Sequence, residues 1–117
     1  MTDHSWIREF PAAITVCDTK GTITAMNSAA GVLFEEFGGE KRVGVNVLDC
    51  HPEPARSKLQ GMMATQQTNV YTIETNGVKK LVYQSPWFEE GVYRGLVEIS
   101  IPLPATVPHF VRDPKAP

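Results

Sequence analysis

"DTKGTITAMNSAAGVLF", residues 18–34, decides the fold, because it changes period twice within one short stretch. Ahead of it, "AAITVCD" (12–18) alternates, with Ala12, Ile14 and Val16 on one side and Ala13, Thr15 and Cys17 on the other. "DTKG" is turn chemistry, and Gly21 supplies the positive φ that a tight turn needs. "TITAMN" (22–27) is then a second strand, so the two runs form a β-hairpin. From Asn27 or Ser28, either of which can cap a helix, the period lengthens. Ala30, Leu33, Phe34 and Phe37 recur at helical spacing until "GG" at 38–39 stops the run.

Before the hairpin, "SWIREF" (5–10) places Trp6 and Phe10 on one side of a short amphipathic helix ended by Pro11. So short a helix is unstable alone and needs a surface, its own domain's or a second copy's. After the hairpin, "EKRVGVNVLD" (40–49) is expected to form a helical turn and a connector. In "DCHPEPARSKL" (49–59), Pro52 disfavours helix at His51 while prolines fit a first turn, so His51 stands at a helix start. Glu53 suits the positive end of that helix, and Ala55, Leu59, Met62 and Met63 form its apolar stripe.

Three further strands follow: "NVYTIET" (69–75), "KKLVYQSPWF" (79–88) and "VYRGLVEISI" (92–101). "NG" at 76–77 and "EEG" at 89–91 are the hairpin turns between them. In the last strand Tyr93, Val97, Ile99 and Ile101 share one face, expected to be the buried one, while Arg94, Glu98 and Ser100 share the other. Hairpin, helices and meander make an α+β domain over 12–102, flanked by an amphipathic segment (1–11) and a proline-punctuated tail (103–117). Trp87 and Phe88, near the tip of the second hairpin, either form an exposed patch or fold back on Trp6.

A chain of 117 residues, 42% hydrophobic and 21% charged, suits one globular domain. A net charge of −2 offers no basic stripe for nucleic acid or for an acidic membrane surface. The first ten residues lack the apolar run of a signal peptide or a membrane span, which points to a cytoplasmic protein. Cys17 and Cys50 stand far apart with no CxxC or His/Cys comb, against a disulfide framework or structural zinc.

The element order, together with Asp18, Gly21, Ile23, Asn27, Ala29, Leu33 and Phe34 at these spacings, resembles a PAS domain over about residues 8–101. The Cys-His-Pro before the long helix is similar to a subgroup of short PAS domains found beside haemerythrin-like domains. The resemblance implies a five-stranded antiparallel sheet with helices packed on one face, and a small interior cavity for a cofactor or metabolite. It implies a non-catalytic sensory or interaction module. The family's usual Asp-Ile-Thr exit is replaced by "EISIPLPATVP" (98–108), so any signal would pass through a partner protein or through self-association. A homodimer is expected through the Trp6–Phe10 segment and the outer sheet face.

The expected pocket residues are His51, Leu59, Met62, Met63, Tyr71, Tyr83 and Val97, with Ile14, Val16, Leu33 and Phe37 as further candidates. The ligand is expected to be small and apolar. The alternative is a haem-binding gas or redox sensor with His51 as axial ligand, since some members bind haem through a histidine in this region. Against it stands a helix-start histidine bonded to a backbone carbonyl. Cys50 beside His51 is the thiol-enzyme reading, but sequence neighbours at a helix start point apart and no third orienting residue is evident. No catalytic or metal site is therefore expected, and the flavin-binding Asn-Cys-Arg-Phe-Leu pattern is missing.

Overall fold

Two hairpin turns carry paired left-handed residues, Asn76 (φ 53) with Gly77 (φ 77) and Glu90 (φ 51) with Gly91 (φ 81). Such turns match the twist of flanking strands, and they join β3 (Asn69–Thr75), β4 (Val78–Glu89) and β5 (Val92–Leu103) into a meander. β1 (Ala13–Cys17) pairs with β5, and β2 (Ile23–Met26) pairs with β1, giving one antiparallel sheet in the order β2-β1-β5-β4-β3. The structure, a computed structural model, describes residues 4–115. Residues 1–3 of the amphipathic segment and 116–117 of the tail lie outside the described residues.

Helices α2 (Ser28–Leu33) and α3 (Ala55–Thr65) pack on one face of this sheet. Two apolar clusters hold them there. Ala30 of α2 sits on Ala13, Ile23 and Met26; Leu59 of α3 sits on Cys17 and Leu96, with Met63 beside it. The α2 stripe is shorter than its spacing suggests. Helix gives way to 3-10 turns at Glu35–Phe37 and Gly39–Arg42, and Leu33 and Phe37 are both exposed.

The first hairpin is fixed by two asparagines. Asn27, 3% exposed, accepts from Ala30 N at 3.0 Å, which caps α2, and from Ile14 N at 2.9 Å, which ties the cap to β1. Its amide nitrogen donates to the carbonyls of Ile7, Phe10 and Ala12, anchoring the segment that holds α1 (Ser5–Arg8). Arg8 adds an ion pair with Glu40. Asn46 holds the other end of the hairpin: its Nδ2 donates to Lys20 O at 2.8 Å, and its Oδ1 accepts from Leu48 N at 2.9 Å to start the 3-10 turn Val47–Cys50. Gly21, with φ 88, is needed twice, since a Cβ there would also stand 2.9 Å from Asn46 Oδ1.

The expected buried face of β5 is corrected, and the open question about Trp87 and Phe88 is answered. The face of β5 that carries Glu98 and Ser100 is the one under the helices, because their cross-strand partners Thr15 and Ala13, and the neighbouring Leu96 with Cys17, all lie on that side. Val97, Ile99 and Ile101 therefore point outward. Trp87 does not fold onto Trp6: its Nε1 donates to Cys17 O at 3.1 Å, while Trp6 stacks edge-to-face on Phe10 at 6.0 Å. Phe88 is left exposed against Tyr93. Backbone crowding at the same corner makes Gly95 obligatory, since a Cβ there would fall 1.9 Å from Cys17 O.

Candidate functional site

Between the sheet's inner face and the 3-10 turns lies a cavity of about 460 Å³. Its floor is Thr15 and Glu98, neighbours across β1 and β5, with Tyr71 from β3 at one side. Ile23, Met26, Phe34 and Val47 make the apolar wall; Phe37, Arg42, Asp49, Cys50 and His51 complete the lining. A void of about 30 Å³ adjoins it, sharing Thr15, Val47, His51 and Glu98 and reaching Leu59, Leu96 and Cys17.

The turn Val47–Cys50 sets the chemistry of this end. His51 Nδ1 lies 2.7 Å from Val47 O, and a carbonyl only accepts, so Nδ1 carries the hydrogen and Nε2 is left free to act. Cys50 turns to other partners: its thiol meets Arg42, and its Sγ lies 3.5 Å from Asn46 O. Arg42 also donates to Phe37 O at 2.8 Å. Cys50 and His51 thus face different groups, and no thiol–imidazole pair is formed. Among the described residues no group of three or more His, Cys, Asp or Glu is placed to hold a metal ion.

The floor is a chain of side-chain hydrogen bonds. Asn69 Nδ2 donates to Gln84 Oε1 at 3.1 Å, and Gln84 Nε2 donates to Glu98 Oε2 at 3.1 Å. Burial, and then the negative charge of Glu98, push the Tyr71 phenol above its ordinary value of 10.0. Burial is also the first cause raising the Cys17 thiol above 9.0.

Of the residues expected to line a pocket, His51, Tyr71 and Phe37 line the cavity and Leu59 lines the adjoining void. Met62 is buried and Met63 packs in the Leu59 cluster, but neither lines the cavity. Tyr83 and Val97 are corrected to the outer face: Tyr83 pairs with Ile99, and Val97 with Val16, one residue out of step with Glu98. Ile14 and Val16 go outward with them, and Leu33 lies outside the lining. Sequence reasoning missed Thr15, Arg42 and Glu98. For Thr15 and Glu98 the signal was cross-strand register, since a polar residue opposite an inward partner is itself inward.

No protein-family model and no curated protein matches the chain. Solved structures do. The PAS domain of an HTR-like protein from Haloarcula marismortui superposes with a TM-score of 0.58 at 17% identity, covering 85% of this chain and 87% of that one. This chain has the PAS fold. The PAS domain of BvgS from Bordetella pertussis gives 0.58 at 18% identity over 84% and 81% of the two chains. The Aer2 receptor of Vibrio cholerae, described as a dual PAS-heme oxygen sensor, gives 0.55 at 19% over 80% and 95%. In this PAS-like fold the cavity lies between the sheet and the segment from α2 to His51, and no helix among the described residues is long and apolar enough to cross a membrane.

Proposed function

We propose that the chain is a non-catalytic, cytoplasmic sensory module that binds a small molecule in the cavity of about 460 Å³ and passes the signal through self-association or a partner protein. The observation that carries this is the mixed lining: a ring-sized apolar wall of Ile23, Met26, Phe34 and Val47 faces a few fixed polar groups, the usual make-up of a small-ligand site. The non-catalytic reading is supported by the separate partners of Cys50 and His51, Arg42 for the thiol and the Val47 carbonyl for the imidazole Nδ1. The self-association surface is the outer sheet face, where Val70, Tyr83 and Ile101 are 49%, 42% and 37% exposed, together with Trp6 and Phe10. A soluble fold carries so contiguous an apolar face mainly where another surface covers it.

The haem alternative has one observation in its favour. A metal-bound imidazole ordinarily donates its second nitrogen to a carbonyl, as His51 does to Val47. The rest of the lining does not suit the group. A porphyrin laid against this floor would bury the Glu98 carboxylate, which among the described residues is bonded by Gln84 and paired with no Lys or Arg.

A fragment screen followed by amide NMR tests the reading. Bound fragments should shift residues 23–26, 47–51 and 96–98 as a set, and Thr15→Trp, which fills the floor, should abolish those shifts. Shifts scattered over the surface, or unchanged in Thr15→Trp, would contradict it. A sharp Soret band on adding haem, lost in His51→Ala, would replace it with the haem sensor.

A further inference from the structure

We propose that Glu98 is the residue by which the cavity selects its ligand, and that the ligand is a compact molecule with an apolar body and an ammonium, amidinium or N–H donor. The inference rests on the small-ligand reading above and adds the ligand's chemistry. Glu98 sits mid-strand in β5, between Thr15 on β1 and Gln84 on β4, and lines both the main cavity and the adjoining void. Its orientation is fixed from behind. Gln84, 6% exposed, has its oxygen taken by Asn69 Nδ2, so its amide nitrogen must face the carboxylate, where it donates to Oε2.

That arrangement leaves Oε1 as an acceptor for the cavity. Among the described residues no Lys or Arg pairs with Glu98, and Gln84 is its one side-chain donor. The cation in the lining, Arg42, is turned to Phe37 O and Cys50. Glu98 is near enough to Tyr71 on the cavity side for its negative charge, after burial, to help raise the phenol above its ordinary value. A half-buried, cation-free carboxylate held by a buried amide is a waiting acceptor. A ligand donor satisfies it with a charge-assisted bond, whereas an anion meets like charge and an apolar ring leaves it desolvated. Opposite it, Ile23, Met26 and Phe34 offer only apolar contact, which calls for a ring or branched chain of modest size.

The test compares three single-ring probes of near-equal shape, benzylamine, toluene and benzoate, titrated into the isotope-labelled protein with affinity read from the amide shifts of residues 23–26, 47–51 and 96–98. Benzylamine should bind at least about tenfold more tightly than toluene, and benzoate should be weakest. Glu98→Gln, which keeps the shape and a bond to Gln84, should bring benzylamine down to the level of toluene while toluene binding is unchanged. Equal binding of benzylamine and toluene by the unaltered protein, a comparison that needs no variant to fold, would overturn the proposal and leave the cavity reading standing. So would a benzylamine preference that survives Glu98→Gln. If none of the probes moves those amides, the cavity reading itself fails and the proposal falls with it.

Discussion

Replacing Asn27 by alanine removes one side chain that joins four segments. Loss of the cap on α2 costs about 1 kcal/mol. The Ile14 N–H and the Ala12 carbonyl then lose their partner in a 3%-exposed site, at about 1–3 kcal/mol each where water does not reach them. The Ile7 and Phe10 carbonyls lie nearer solvent and add little. Allowing for water entering the space left behind, the total is about 3–5 kcal/mol, a large share of the stability of a domain this size. With a urea slope of about 1–2 kcal/mol per M, the unfolding midpoint should fall by about 1.5–5 M. Asn27→Asp keeps both bonds to the amides but sets its second oxygen against three carbonyls, so it should lose as much. Asn27→Ser retains only the cap and should recover about 1 kcal/mol. A loss below about 1 kcal/mol for Asn27→Ala, followed by fluorescence and circular dichroism, would refute the claim that this residue holds the hairpin, α2 and the N-terminal segment together.

Tyr83→Glu places a charge on the outer sheet face and should weaken self-association by at least about thirtyfold while leaving the unfolding temperature nearly unchanged; light scattering over micromolar concentrations reads the first and calorimetry the second. A protein that is monomeric before substitution would sink the dimer proposal outright. Stability should be flat up to about pH 8 and fall above pH 9. The sign follows from Cys17 and Tyr71, whose raised values in the fold mean that the folded state holds the proton more tightly, a gain present below the ordinary values of 9.0 and 10.0 and lost as pH rises through the folded ones. Cys17→Ala should flatten the part of that fall that begins near pH 9, read from unfolding temperatures between pH 7 and 11. With a thiol reagent, Cys50 should react at once and Cys17 only on unfolding, since one is exposed and the other is 2% exposed; two fast thiols would show that the Cys17–Leu59–Leu96 cluster is open.

Where local chemistry alone fixes geometry, the sequence was sufficient. Asp18 and Gly21 close their turn, Asn27 caps its helix, and Asn76–Gly77 and Glu90–Gly91 bend the meander as their residue types demand. The placement of His51 just ahead of the long helix also follows from Pro52. What the sequence hid was which side of the sheet faces the helices. Val97, Ile99 and Ile101 are the apolar set of β5, and apolar alternation ordinarily marks the core side. Here the inner face is partly polar because it floors a cavity, and the outer face is apolar, as a surface meant to be covered would be. The error for Tyr83 and Val97 and the omission of Thr15 and Glu98 are one mistake in register seen twice. Arg42 was hidden for a different reason: it lies on a 3-10 turn, whose short span has no periodic signal.

The most direct test of the central claim is to locate a bound small molecule within the fold. With protein isotope-labelled and benzylamine unlabelled, filtered nuclear Overhauser spectra report which side chains lie within a few ångströms of the probe. The account predicts contacts from the ring to the methyls of Ile23 and Met26 and to Tyr71, all lining one cavity. Contacts confined to Val97, Ile101 or Tyr83 would place the probe on the outer sheet face and contradict the claim that the cavity is the binding site.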